Sequence, residues 1–331
     1  MQTLILSEKE VRSLLSMEEV IQAVESAFRE KGLNRVQMPP KSYLFYPKYN
    51  GDLRSMPSYL ERLDVSGVKI VSVYPKNREK YGLPTVVALL FLVNPRNGFP
   101  MAILSGSFLT SMRTGAAGGI ASKYLARADS EKICLIGAGE QARTQLMALL
   151  LVLEGLEEVR VYDKVQKIGE KFVADISSLT DPQCDLFLVE SIQKAVQGAD
   201  IVVTTTPSRK PLVMNDWVEE GTHFNCIGAD APGKEELDHN ILTRSKIIID
   251  DWEQASHSGE INVPLKRRIL SKKDIWGEIG EIVAGLKPGR TSPREITVFS
   301  STGLAAQDAV TAELVYKKAK QQGIGRTIQL T

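Results

Sequence analysis

The chain has 331 residues, enough for two domains with cores of their own. Its 41 basic and 40 acidic residues balance, so no nucleic acid or other polyanion is implied as partner, and steering by net charge is ruled out. Hydrophobic residues make up 43% but are dispersed: the longest apolar runs, residues 86–93 and 146–153, are far shorter than the roughly 20 residues of a membrane span. The opening Met1-Gln2-Thr3-Leu4 carries no secretion leader, so a cytoplasmic protein with no membrane association is expected.

In chain order, Ser7 with Glu10 and Ser16 with Glu19 each have the spacing of a capping box. The second predicts a helix with Val20, Ile21, Val24, Ala27 and Phe28 on one face and Gly32 as its stop. After Met38-Pro39-Pro40-Lys41, strands are predicted at 43–46, 67–73, 86–93 and 101–104. Turn sequences such as Asn50-Gly51-Asp52 and Asn94-Pro95-Arg96-Asn97-Gly98 separate them. This is a mostly antiparallel α+β pattern. Residues 107–126 read as a helix rich in small side chains, Gly115-Ala116-Ala117-Gly118-Gly119, suited to close backbone approach across an interface.

From Ser130 strands alternate with helices, with strands predicted at 133–136, 158–162, 186–189, 201–204, 223–226, 246–249 and 297–299. The fold class expected is therefore α/β: a Rossmann-type doubly wound parallel sheet plus an α+β domain. A closing helix at 303–321 is expected to return to the first domain. The boundaries expected are 1–115 with 303–331, and 116–302. At the first strand of the parallel sheet the apolar run ends at Gly137-Ala138-Gly139 and a helix follows from Glu140. Strand, glycine turn and helix N-terminus form an anion site. Gly137 permits the turn, Gly139 lets a pyrophosphate approach, and Ala142 takes the third small position. Asp163 ends the next strand, where an acidic residue binds a ribose 2′-OH. A plain βα turn is the alternative.

Several polar residues could carry chemistry. Lys69 shares a strand face with Val71 and Val73; it is either a snorkelling edge lysine or a desolvated group with a lowered pKa, fit for proton transfer. Arg54 follows a turn and suits a bidentate grip on a carboxylate, or is merely solvated. Lys41, after two prolines, is similar. Arg113, among small residues, either reaches a phosphate or carboxylate or makes a salt bridge between domains. Thr204-Thr205-Thr206, the 228–234 loop and Ser300-Ser301-Thr302 all follow strands, where ligands bind in open α/β sheets. In the second of these Asp230 is an acid/base candidate or a turn-stabilising residue. Cys134, Cys184 and Cys226 and the three histidines lack metal spacing, so no metal is expected and the cysteines read as reduced core residues.

Taken jointly these segments resemble the ornithine cyclodeaminase/μ-crystallin family. The residues that carry the resemblance run through nearly the whole chain: Met38–Lys41 in Met-Pro-Pro-Lys, Gly51-Asp52-Leu53-Arg54-Ser55-Met56-Pro57, Gly67-Val68-Lys69, Gly82-Leu83-Pro84-Thr85, Arg113-Thr114-Gly115, Gly137-Ala138-Gly139-Glu140-Gln141-Ala142, the 204–208 and 228–238 segments, Gly259-Glu260-Ile261-Asn262 and Ser301-Thr302-Gly303. The resemblance implies a homodimer, with a substrate and dimerisation domain and a Rossmann domain in each subunit. It assigns the catalytic lysine to Lys69 and the catalytic aspartate to Asp230. Dinucleotide contacts are assigned to Thr85, Arg113, Gly137, Gly139, Glu140, Gln141, Asp163, Thr205, Thr206, Gly228, Ala229, Asp230, Ala231 and Ser301. The cyclodeaminases carry a Glu two residues before Met-Pro; here that residue is Arg54, as in the family's alanine dehydrogenases. Arg54, helped by Lys41, would hold the carboxylate of a small amino acid and repel the distal ammonium of ornithine. The expected activity is thus reversible NAD-dependent oxidative deamination of L-alanine to pyruvate and ammonium. The alternatives are a ketimine or Δ1-pyrroline-2-carboxylate reductase, ornithine cyclodeaminase, and a non-enzymatic nucleotide carrier. Asp163 favours NAD over NADP by repelling a 2′-phosphate, and Lys164 beside it softens that preference.

Overall fold

The structure is a computed structural model that describes residues 2–177 and 184–330. The chain divides into two compact units, Met1–Arg113 with Leu304–Thr331, and Thr114–Gly303.

In the first unit an eight-stranded sheet runs in the order Arg326–Ile328, Thr3–Leu6, Pro100–Ser105, Val86–Val93, Val65–Val73, Gly51–Leu60 and Val36–Gln37, with Ser42–Tyr46 also on the Gly51–Leu60 strand. Its pairings are antiparallel except Thr3–Leu6 against Pro100–Ser105. Side chains alternate across the pleat. Along Val65–Val73 the residues Val65, Gly67, Lys69 and Val71 are buried, while those between them are half-buried. The buried face packs under the helix Ala305–Gln322 through Leu60, Val65, Ala306, Ala309 and Val310. On the other face Val87 and Leu89 are exposed.

Two expectations are corrected here. The helix Met17–Gly32 runs through Gly32, and the left-handed residue that ends it is Asn34, at φ 56°; its side-chain amide tolerates that region, so no glycine was needed. Gly51–Leu60, read only as a turn and a motif, is a ten-residue strand. Its Pro57 concealed it. The outer partners reach Ser55 on one side of Pro57 and resume at Tyr59 on the other, so the missing N–H falls where no ladder bond is made.

The second unit holds an eight-stranded sheet, parallel throughout, in the order Asp185–Leu188, Glu158–Tyr162, Lys132–Ile136, Ile201–Thr204, His223–Cys226, Ile296–Ser300, Ser245–Ile249 and Ile275–Glu278. The fold is therefore α/β with a doubly wound parallel sheet. Within Lys132–Ile136, Cys134 and Ile136 enter one core and Ile133 and Leu135 the other, which explains the continuous apolar run. The chain leaves this strand toward one edge and returns beside it as Ile201–Thr204. Their carboxyl ends thus form the topological switch point, where such sheets bind ligands. Ile275–Glu278 and the two-stranded pair of Arg209–Val213 with Glu235–Leu237 were not anticipated; all three are short, and none has a continuous apolar run. Among the described residues no helix is long and apolar enough to cross a membrane.

The small residues of the helix Ser107–Leu125, expected to suit close backbone approach across an interface, have a specific partner within the second unit. A Cβ added at Gly115 would strike the Thr144 backbone, one at Gly118 the Gln145 amide, and one at Gly119 would come 2.8 Å from Ala148 Cβ. The contact surface is the helix Glu140–Val152 that follows the glycine turn, so these glycines fix the height of that helix. Gly115→Ala should lower stability by about 1–3 kcal/mol through overpacking, read as a lower urea midpoint; an unchanged midpoint would contradict this packing.

Candidate active site

In the first unit the interior strand Val65–Val73 carries Lys69 opposite Met56 on one neighbour and Leu90 on the other. It is not an edge lysine, and it does not snorkel: only 1% of it is exposed. Its Nζ lies 2.7 Å from Asp308 Oδ2, at the start of the helix Ala305–Gln322. The partial positive charge of that helix N-terminus suits a carboxylate there. Arg113 Nε donates to Asp308 Oδ1 at 2.9 Å, and its Nη1 donates to Gln307 Oε1 at 3.0 Å. Gln307 Oε1 also accepts the Leu304 N–H at 3.0 Å. Arg113 thus makes an ion pair within its own unit, not the bridge between domains considered as one alternative.

One buried carboxylate therefore serves two buried cations. Desolvation, then repulsion from Arg113, pushes the Lys69 pKa down; Asp308 opposes them, Lys41 adds a weaker repulsion, and the value falls from 10.5 to about 7. A lysine tuned in this way exchanges protons near neutrality, and the local surplus of positive charge complements a carboxylate substrate. Lys41 is half-buried after its two prolines. Arg54 lies on the same sheet face, opposite Val71. It is buried rather than solvated, with Nε 2.8 Å from Asp52 Oδ1, Nη2 3.2 Å from Asp52 Oδ2, and the Tyr43 ring 5.3 Å away. Asp52 neutralises it, a partner the sequence did not suggest. Thr85 is half-buried, and its carbonyl accepts the Tyr74 N–H at 2.8 Å.

The second unit gathers the other candidates at the sheet's carboxyl edge. Gly137 sits at φ +94°, a region closed to most side chains, and Thr205 bonds back to it. Gly139 caps the helix Glu140–Val152 without a side chain, and a Cβ on it would point into open space. Glu140 is exposed, and Gln141 Oε1 is buried with no hydrogen-bond partner among the described residues. An open glycine over a bare helix N-terminus, with an orphaned amide oxygen next to it, fits the pyrophosphate and polar groups of a dinucleotide. Asp163 accepts the Ala138 N–H at 2.9 Å and the Val165 N–H at 2.8 Å, so it braces the turn. Lys164 beside it is exposed.

Thr206 is tied by its N–H and hydroxyl to Glu236, and Ser301 N–H donates to the Cys226 carbonyl at 3.0 Å. Gly228 is half-buried and Ala229 buried; Ala231, in the same loop, is half-buried. Asp230 forms a 2.5 Å ion pair with Lys234, four residues on, and its side chain keeps 35% exposure. Asp250, after the strand Ser245–Ile249, accepts from the N–H groups of Thr302 and Gly303 and holds the loop after the last strand. Asp308, Asp250, Glu236 and Lys234 were all missed as supporting groups. For Asp308 a signal existed, since Gln307-Asp308 is a polar pair inside an otherwise alanine-rich helix start. The buried His223 bonds Thr297 at 2.9 Å, and burial pushes its pKa down to about 3, so it is no acid/base.

The ornithine cyclodeaminase/mu-crystallin family model matches residues 1–323. The alanine dehydrogenase of Archaeoglobus fulgidus is 50% identical over 331 residues, 99% of each chain. A solved archaeal alanine dehydrogenase dimer with bound NAD matches with a TM-score of 0.95 at 49% identity, covering 100% of both chains. The Δ1-pyrroline-2-carboxylate reductase of Thermococcus litoralis, solved with NADH and L-proline, matches with a TM-score of 0.94 at 42% identity, covering 98% of this chain and 100% of that one. With its two-unit fold, its buried lysine and its glycine turn, the chain belongs to the ornithine cyclodeaminase/mu-crystallin family.

Proposed function

We propose that the chain is an NAD-dependent alanine dehydrogenase, acting reversibly on L-alanine, pyruvate and ammonium. The observation that carries this reading is Lys69, a buried amine that shares the Asp308 carboxylate with Arg113 and whose pKa is lowered to about 7. The 50% identity to the Archaeoglobus fulgidus alanine dehydrogenase supports it over the full length. NAD, when bound, accepts or returns the hydride at the substrate Cα. The residues assigned to hold it are Thr85, Arg113, Gly137, Gly139, Glu140, Gln141, Asp163, Thr205, Thr206, Gly228, Ala229, Ala231 and Ser301. The Asp163 carboxylate disfavours a 2′-phosphate.

Arg54 shares its guanidinium between Asp52 and the substrate carboxylate, with Lys41 adding a second positive charge. Loss of hydride from alanine leaves an iminium at Cα. Lys69, neutral above its pKa, takes a proton as water adds there and the carbinolamine breaks down to pyruvate and ammonia. In reverse the protonated Lys69 polarises the pyruvate carbonyl and gives that proton back. The Asp230 carboxylate, held by Lys234, favours the iminium charge and accepts from the amine. A homodimer is part of the same proposal. The exposed apolar Val87 and Leu89 on the open sheet face want a partner, and the archaeal relative is a dimer.

A second reading has a specific observation behind it, the likeness to the Thermococcus litoralis reductase crystallised with L-proline. Following NADH with pyruvate plus ammonium, and separately with Δ1-pyrroline-2-carboxylate, separates the two: oxidation with pyruvate and ammonium is expected, and oxidation with the cyclic imine alone would replace the proposal by the reductase. In alanine oxidation kcat/KM, which reports the free enzyme, should rise with pH through an apparent pKa near 7, because the neutral amine is the base and forms only above that value. Lys69→Ala should lose about 10²–10⁴-fold in kcat along with that inflection; near-full activity would sink the scheme. In Asp308→Asn the two cations lose their shared anion, so the midpoint of the profile should move to lower pH, and an unmoved midpoint would show that Asp308 does not set the lysine.

A further inference from the structure

Two segments of the second unit have no part in the chemistry so far: Glu235-Glu236-Leu237 and Gly259-Glu260-Ile261-Asn262. We propose that Glu236 is a positioning residue for cofactor binding, whose single carboxylate fixes the loops after two sheet strands in the shape that receives the dinucleotide. The inference rests on the reading of that edge as a dinucleotide site.

Glu236 is fully buried. Its Oε1 accepts the N–H and the hydroxyl of Thr206, both at 2.7 Å. Its Oε2 accepts the Thr204 hydroxyl at 2.8 Å and the Gly228 N–H at 2.9 Å. One side chain thus ties the loop after Ile201–Thr204 to the loop after His223–Cys226. The fit is close: a Cβ on Gly228 would lie 2.6 Å from each Glu236 oxygen and would run into the Thr206 carbonyl. Glu236 is held from behind in turn. Glu260 Oε1 accepts the N–H groups of Glu236 and Leu237 at 2.8 and 2.7 Å, and the Glu260 N–H donates to Ser300 Oγ at 2.9 Å, at the end of a third strand.

The two acids differ in a way that substitution can read. Each oxygen of Glu236 faces a backbone N–H, so the amide of a glutamine, in either orientation, would turn its NH2 against one of them. Burial pushes the Glu236 pKa up, and its four donors oppose that by favouring the ionised form. Glu260 is the reverse case. Both of its N–H donors meet one oxygen, and Oε2 has no partner among the described residues. Burial and the neighbouring Glu236 charge push its pKa well up, so it holds its proton, and a glutamine there would copy the neutral acid.

The test is NADH binding, followed by ligand fluorescence, in the full-length wild type, Glu236→Gln and Glu260→Gln, with far-UV circular dichroism and a thermal melt without cofactor for each. Glu236→Gln should weaken NADH by about tenfold or more while keeping the folded spectrum; Glu260→Gln should stay within about threefold of wild type. A merely structural glutamate would lower the melting point and leave NADH affinity unmoved. That result, or equal losses in the two variants, would overturn the proposal. Should Glu236→Gln not fold, Thr204→Val removes one donor to the same carboxylate; a loss of about threefold or more in affinity is then expected, and wild-type affinity would overturn it. A wild type that binds no NADH would remove the dinucleotide reading itself.

Discussion

The carboxylate of Asp308, shared between Lys69 and Arg113, is the constraint on which the first unit's chemistry depends. Burial and the neighbouring Arg113 charge together drive the lysine toward its neutral form. Asp308 limits that response. It leaves the Lys69 amine titrating near 7 rather than permanently neutral, and an amine poised there serves both directions of a reversible deamination. The fold makes the arrangement out of distant segments: Lys69 from a central strand, Arg113 from the helix after the sheet, and Asp308 from the closing helix, 195 positions from Arg113. The return of the last helix to this sheet is therefore a chemical requirement as much as a packing one.

The second unit uses carboxylates in the same economical way, as collectors of donors from segments far apart in sequence. Asp163 braces the glycine turn, Glu236 ties two strand-end loops, and Asp250 ties a third. Loops at the carboxyl edge of a parallel sheet carry backbone N–H groups with no ladder to satisfy them, and an acceptor beneath the loop resolves this without blocking its outer side. The outer side of Gly139 stays open. Binding and stability thus draw on different faces of the same short loops.

Much of this could be read from the sequence. The alternation of apolar runs and glycine turns after Ser130 marked the parallel sheet, because strands buried on both faces leave an uninterrupted pattern. The Gly137 turn and Asp163 were legible because their spacing is local. What escaped notice was either masked or non-local. Gly51–Leu60 contains a proline, and only the interval between its outer partners shows why the strand survives it. Lys69 could be seen to share an apolar face, but its partner Asp308 lies at the other end of the chain, and one sequence contains no record of that contact. Arg54 was legible as an unusual arginine, whereas its ion pair with Asp52 depends on two side chains of one strand folding toward each other.

The account turns on the protonation of one amine, and that can be observed directly. NMR of protein labelled with ¹³C at lysine Cε, with the Lys69 resonance assigned by its absence in Lys69→Arg, would follow the amine through a pH titration. The structure predicts a midpoint near 7. A midpoint near the ordinary lysine value of about 10.4 would contradict it, and with it the role of Lys69 as the group that moves the proton.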